Sequence, residues 1–412
     1  MIIGSSFALE LLWWWQADRL LRSLKVSRAA RLLYSAFMAA NVLCLLWVVA
    51  GRKLIGHPED FLPRWVLAAT FMWHLLILPL TLVAWLVVGT GRGIVALTRM
   101  PFNGVRKAGR PAPSTPPADP AAVGTTRRQF LGAAVVAAPP IVTAVATTLA
   151  SEQLSSFRVR PMTLALPQLP PDLDGLTIAH VSDIHVGRFT YGNVLSRVVE
   201  ATNDLRADLV LLTGDLINME LADLPGALDV VRRMDGRFGV YMIEGNHDLM
   251  ESRPEFERRV KGSSVPLLVN ESLLVPVRGR PVQLLGLRWG TGAARGTRAG
   301  ERGDEAIDAS MQALLPQVRR DEDAFPILLA HHPHAFDPAA DAGIPLTLSG
   351  HTHGGQLMLS RHVGFGPWMY RYWSGAYRKG NSALVVSNGV GNWFPLRIGA
   401  PAEIIHLTLR RA

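Results

Sequence analysis

Hydrophobic positions follow two different regimes along this chain. Up to about residue 150 they form long unbroken runs, and from about residue 174 they form short runs that stop abruptly at polar residues. Residues 32–50 carry no charge over 19 positions, and residues 65–89 carry only His74. Each run is long enough to cross a bilayer as a helix, which takes about 20 residues. Pro79 predicts a kink in the second run. Residues 130–150 are rich in Ala, Val, Ile and Thr, with Pro139-Pro140 in the middle. They read as a third span or as the apolar part of an export signal. The first 15 residues hold Glu10 and Trp13-Trp14-Trp15. They predict an interfacial segment, because tryptophan favours the headgroup level.

In the second regime, residues 176–181, 208–213, 240–243, 327–330 and 346–349 predict strands, and residues 193–203 a helix. Strands alternating with amphipathic helices predict an α/β fold. The division is therefore a transmembrane region over 1–110, a basic, Pro-rich linker over 111–129, the third apolar run over 130–150, and a folded domain over 151–412.

Charge sharpens this division. The net charge of +9 suggests a nucleic-acid partner until it is located. Residues 1–150 hold 15 Lys/Arg against 5 Asp/Glu, leaving 27 against 28 for the rest. The basic excess therefore belongs to the apolar half, and no nucleic-acid partner is expected. Arg19, Arg22, Lys25, Arg28 and Arg31 precede the first span, and Arg92, Arg99, Arg106, Lys107, Arg110, Arg127 and Arg128 follow the second. Positively charged loops stay cytoplasmic. The third span then carries residues 151–412 to the extracytoplasmic side. Thr126-Arg127-Arg128-Gln129-Phe130-Leu131 resembles a bacterial twin-arginine export signal; the alternative is a pair of ordinary topology charges. The one cysteine, Cys44, excludes an intrachain disulfide and a multi-thiolate metal site.

The chemistry lies where the short strands stop. They end in Asp183-Ile184-His185, Gly214-Asp215, Gly245-Asn246-His247-Asp248, His331-His332-Pro333 and Gly350-His351-Thr352-His353. Ligands of open α/β sheets bind outside the carboxyl ends of the strands, so five such ends can converge. Asp183 and His185 are two apart, as are His351 and His353; in extended chain each pair projects to one face. Carboxylate, imidazole and amide donors without thiolate suit Mn, Fe or Zn, and the set is too large for one ion. The other histidines, His57, His74, His180, His332, His334, His362 and His406, read as structural or surface residues.

These five blocks together resemble the calcineurin-like metallophosphoesterase family. The tail, with Gly354-Gly355-Gln356, Ser387-Asn388-Gly389-Val390-Gly391 and Pro395-Leu396-Arg397, is similar to bacterial membrane-associated members. The resemblance implies a four-layer α/β/β/α sandwich binding two divalent metal ions. It implies that Asp183, His185 and His353 hold the first ion, that Asn246, His331 and His351 hold the second, and that Asp215 bridges them. It implies that His247 protonates the leaving oxygen or stabilises phosphoryl charge, with Asp248 orienting its ring. The expected activity is hydrolysis of phosphate monoesters or diesters at the extracytoplasmic face of a bacterial cytoplasmic membrane, on phospholipid or envelope substrates. A soluble-nucleotide phosphodiesterase and a non-catalytic membrane scaffold are the alternatives. Trp368, Tyr370, Tyr372, Trp373 and Tyr377 follow the last block; they read as substrate or membrane contacts, or as packing under a loop.

Overall fold

Apolar runs of this length leave helix as the economical way to pair every backbone amide, and helices are what form. The computed structural model describes residues 2–55, 61–98, 126–153, 155–290, 301–318 and 320–412. His57 and most of the expected linker, as far as Thr125, lie outside the described residues. The chain divides into two compact units, Met1–Thr148 and Leu149–Ala412.

The first unit contains α1 (Ile2–Ser23), α2 (Arg28–Ile55), α3 (Arg64–Met72), α4 (Leu78–Thr98) and most of α5 (Arg127–Gln153). Among the described residues, three stretches are long and apolar enough to cross a membrane: Arg28–Gly51, Arg64–Thr90 and Phe130–Leu149. Where Pro79 predicts a kink, α3 and α4 join through a π-helical turn, Trp73–Ile77. A widened turn accommodates a proline that lacks an N–H to donate. Pro139 and Pro140 lie inside α5, which continues through them. In the opening segment the tryptophans divide, with Trp15 exposed and the two before it bonded to α2. Trp13 is buried and donates to Tyr34 Oη at 2.7 Å, and Trp14 donates to Ser35 Oγ at 3.1 Å. An indole N–H in apolar surroundings needs such a partner. His74 is structural, as expected. It is buried, with Nε2 2.7 Å from Glu10 Oε2 and Nδ1 2.8 Å from the Thr70 carbonyl.

The second unit is the expected four-layer sandwich. Its strands are β1 (Arg158–Leu166), β2 (Thr177–Val181), β3 (Leu209–Thr213), β4 (Val240–Ile243), β5 (Glu271–Val277), β6 (Arg280–Gly286), β7 (Phe325–Leu329), β8 (Leu346–Ser349), β9 (Met358–Ser360), β10 (Val363–Gly364), β11 (Gly375–Lys379), β12 (Ser382–Val386) and β13 (Glu403–Arg411). Its helices after α5 are α6 (Asn193–Asp204), α7 (Leu224–Arg232), α8 (Arg253–Lys261), α9 (Glu301–Gln317), α10 (Phe336–Asp341) and α11 (Phe365–Met369). One sheet has the order β1-β13-β2-β3-β4 and the other β11-β12-β8-β7-β6-β5. β2, β3 and β4 run parallel, as do β6, β7, β8 and β12.

Strands covered on both faces are apolar at successive positions, and this sequence obeys that rule. Leu209 and Leu211 face the second sheet in one cluster, while Val210 and Leu212 face α6, α7 and α8 in another. Ile327 and Leu329 likewise face inward, and Leu328 packs outward with α9 and α10. The β1–β13 pairing joins the two ends of the unit in register, Arg158 opposite Glu403. Glu403 is fully buried there and is held by Arg158 at 2.7 Å and Arg160 at 3.2 Å.

Candidate metal centre

The loops that follow β2, β3, β4, β7 and β8 carry the five motif blocks, so all five meet at one end of the two sheets. They are laced together by backbone hydrogen bonds. Asp183 N donates to Gly214 O, His185 N to Asp215 O and Gly350 N to His331 O, each at 3.0–3.1 Å. The tail motif braces the first loop, with Val390 N donating to Ser182 O and Gly391 N to Asp183 O. Gly350 is required by space, because a Cβ there would collide with Ser182 Oγ and the Asp183 carboxylate.

The pairs Asp183/His185 and His351/His353 do face one site, but not by extended geometry. Asp183, His185, Asp215, His351 and His353 all have positive φ, between 48° and 70°. They make up half of the ten non-glycine residues with positive φ among those described. The left-handed region costs an L-residue roughly 1–2 kcal/mol, and such strain collects at functional sites.

Three groups of donor atoms converge, each within 4.8 Å: Asp183, His185 and His353; Asp215, His331 and His351; and His185, Asp215 and His247. Asp215 Oδ2 stands between the first two, 3.6 Å from His185 Nε2 and 3.1 Å from His331 Nε2. Asn246 Oδ1 lies 2.9 Å from His351 Nδ1. His331 joins this cluster rather than its neighbour His332, whose ring packs against Trp289 and His351.

This arrangement fits cations. His185 Nε2 and His353 Nε2 approach to 3.0 Å, and buried His331 Nε2 lacks a hydrogen bond of good geometry despite its closeness to Asp215. Burial pushes the Asp183 carboxyl up, but His353, His185 and His331 reverse this and hold it well below the usual carboxylate range. Asp215 is lowered against burial in the same way, chiefly by His331 and His247. Burial opposes the charged form of His331, yet Asp215 and Asp183 lift it to about 9. Burial and the charge of His331 depress His351 to about 3. The two carboxylates thus retain negative charge out of water and draw in whatever cation is at hand, which is what a divalent-ion site requires.

One residue takes a part that differs from expectation. Asp248 does not touch the His247 ring. Its carboxylate accepts from Ile217 N at 2.9 Å and Gly245 N at 2.8 Å, tying two loops together. The His247 ring is held instead through Nδ1 by the Asn218 carbonyl. A carbonyl only accepts, so Nδ1 carries the proton and Nε2 is the atom left for exchange. Burial sets the His247 pKa below its ordinary value.

Arg397 belongs to the site although its block suggested no role. It is buried, with Nη2 2.7 Å from His353 Nδ1 and Nη1 2.6 Å from the Asn388 carbonyl. A guanidinium only donates, so this contact fixes the His353 ring with Nε2 toward the cluster. Trp289, just past β6, lies 5.3 Å from the His331 ring and 5.1 Å from His351. Trp393 lies 6.0 Å from the His247 ring. The strand-end rule would have found Trp289; nothing local marks Trp393. The aromatic stretch divides: Tyr372 is buried against Phe336 and Tyr377, whereas Trp368 is exposed.

Residues 176–355 match the family model for Calcineurin-like phosphoesterase. A transmembrane protein with metallophosphoesterase domain from Danio rerio is 31% identical over 264 residues, covering 62% of this chain and 58% of that relative. An uncharacterized metallophosphoesterase of Campylobacter jejuni is 28% identical over 266 residues, covering 62% of this chain and 64% of that one. The chain therefore spans about three fifths of the length of these curated relatives. Among solved structures, a phosphopantetheinyl hydrolase from Mycobacterium tuberculosis aligns at a TM-score of 0.34 and 13% identity, over 54% of this chain and 91% of that one. Family model and relatives together support the calcineurin-like metallophosphoesterase family.

Proposed function

We propose, for a chain whose second unit has the mixed α/β metallophosphoesterase fold, that this unit hydrolyses phosphate monoesters or diesters with two divalent ions, Mn, Fe or Zn. The observation that carries this reading is Asp215, which stands between two complete donor groups. Asp183, His185 and His353 would hold one ion, and Asn246, His331 and His351 the other. When bound, such ions supply Lewis acidity, which stabilises phosphoryl charge and makes water a stronger acid. The chain's own contributions are positional. The lowered pKa values of Asp183 and Asp215 keep both carboxylates ionised, and Asp248 fixes the loop that presents Asn246 and His247. His247 Nε2 is the proton-exchanging atom. Hydrolysis consumes one water: the phosphorus–oxygen bond to the leaving group breaks, the water's oxygen stays on phosphorus with one of its protons, and the other proton passes through His247 Nε2 to the leaving oxygen.

The basic residues flanking the candidate spans favour an extracytoplasmic second unit inserted from a bacterial cytoplasmic membrane. Arg127-Arg128, opening α5, would then serve as the export signal. The ligand set is intact, which disfavours a non-catalytic scaffold.

The test is metal analysis with kinetics on the purified chain, using a phosphomonoester and a phosphodiester with each metal. Asp215→Asn is expected to weaken both ions and to lower turnover further than His353→Ala, which serves one ion. Two retained ions with ordinary turnover in Asp215→Asn would overturn the bridging assignment.

A further inference from the structure

Half of the exposed large hydrophobic residues described in the second unit gather in one place. Its two most exposed large hydrophobic residues among those described are Leu359 at 84% and Trp368 at 77%. Val363, Phe365, Met369 and Ile398 are exposed as well. All but Ile398 fall within residues 358–369, the β9–β10 hairpin and α11. Ile398 is joined to them, since Met358 N donates to the Ile398 carbonyl at 2.7 Å. Phe365 and Trp368 have ring centroids 5.7 Å apart. Single exposed hydrophobics are ordinary, but a cluster of this kind marks a contact surface.

This cluster is tied to the point where the chain leaves its last candidate span. That span ends at Leu149. Four residues on, Gln153 Oε1 accepts from the Arg397 amide at 2.9 Å. Arg397 in turn holds His353 in the metal centre, and Ile398 holds β9. One short segment therefore connects the end of the span, the hairpin and the site. At about 1.5 Å per helical residue, Gln153 lies about 6 Å beyond the span. The headgroup layer on each side of a bilayer is about 5–7 Å thick. A contact this near the end of the span is within reach of the headgroup layer of a bilayer that the span crosses. Tryptophan, phenylalanine and leucine suit that depth, and exposed Arg361 at the hairpin turn suits lipid phosphates.

We propose that residues 358–369 dock in the headgroup layer of the bilayer that α5 crosses, and that the metal centre takes its phosphoester from an amphiphile held in that layer. The substrate half of this proposal rests on the phosphoester-hydrolysis reading; the docking half does not. The reaction is the same hydrolysis, with one water consumed and the amphiphile's oxygen leaving protonated.

The experiment uses the full chain with Cys44→Ser in nanodiscs of phosphatidylethanolamine and phosphatidylglycerol carrying nitroxide-labelled lipid. Leu359→Cys, Trp368→Cys and, as control, Arg233→Cys at the end of α7 each carry a fluorophore. Quenching at positions 359 and 368 well above the control is expected; quenching no greater than the control overturns the docking. A Leu359→Asp, Trp368→Asp double variant is then assayed on a soluble chromogenic phosphoester and on a fluorescent phospholipid in the same nanodiscs. Lipid turnover should fall about tenfold or more while soluble turnover holds. Equal effects on both substrates overturn the amphiphile assignment. Quenched labels on a chain that hydrolyses neither substrate would support docking and overturn phosphoester hydrolysis instead.

Discussion

His247 has its Nδ1 engaged by the Asn218 carbonyl, and its ring lies beside His185 and Asp215. A residue placed this way moves a proton or steadies charge. His247→Ala should therefore retain two ions while turnover falls roughly 10²–10⁴-fold, the usual range for loss of a general acid. The loss should shrink for a nitrophenyl ester, whose leaving group departs unprotonated. Metal content and rates on two leaving groups decide the matter. Loss of an ion would make His247 a ligand, which its closeness to His185 and Asp215 permits. Equal losses on both substrates would make it a charge stabiliser. At this scale the residue types were legible, because Asp, Asn and His at strand ends advertise their chemistry. Their backbone conformations were not. Left-handed φ at Asp183 and His353 is imposed by neighbouring loops, and no sequence spacing encodes it.

At the scale of elements, the strands that end in the site were legible from their short apolar runs. β4 and β8 begin and end where the pattern placed them, and β2, β3 and β7 fall within one or two residues. β13 was not anticipated beside β2, since its pairing joins residues more than two hundred positions apart. His180 shows how an element's polar residue is constrained. It lies on β2, fully buried, with Nε2 2.9 Å from Thr213 Oγ1. Burial drives its pKa from 6.5 down to about 4, against a smaller opposing pull from Asp183. The unfolded imidazole takes up its proton near 6.5 and the folded one only near 4. Stability from this group is therefore complete above pH 6.5 and is lost as pH falls toward 4. The depression corresponds to about 3 kcal/mol. His180→Gln cannot titrate and should flatten that part of the stability–pH curve relative to the parent chain. Denaturant melts between pH 7 and 4 measure it, and parallel curves would show that His180 contributes nothing to acid sensitivity.

For the whole molecule, the two regimes of hydrophobic pattern coincide with two different kinds of unit. The apolar clusters of the sandwich, on both outer faces and between the sheets, lie wholly within the second unit. Residues 151–412 should accordingly fold without the rest, giving a monodisperse species with a cooperative thermal transition. Material recovered only as aggregate across several expression conditions would show that the apolar half is required for folding.

The sequence by itself determined the two-part layout, the α/β class and the Asp and His residues that come together at one end of the sheets, because burial on both strand faces and membrane solubility write themselves into hydrophobic periodicity. It also placed His331 ahead of His332, through the resemblance its motif carries. Only the tertiary structure decided which backbone groups position those donors. Asn218 rather than Asp248 holds His247, and Arg397 holds His353. The physical reason is that such partners are chosen by distance in space. A carbonyl or guanidinium far away in the chain serves as well as an adjacent carboxylate, and nothing in its own neighbourhood marks it out.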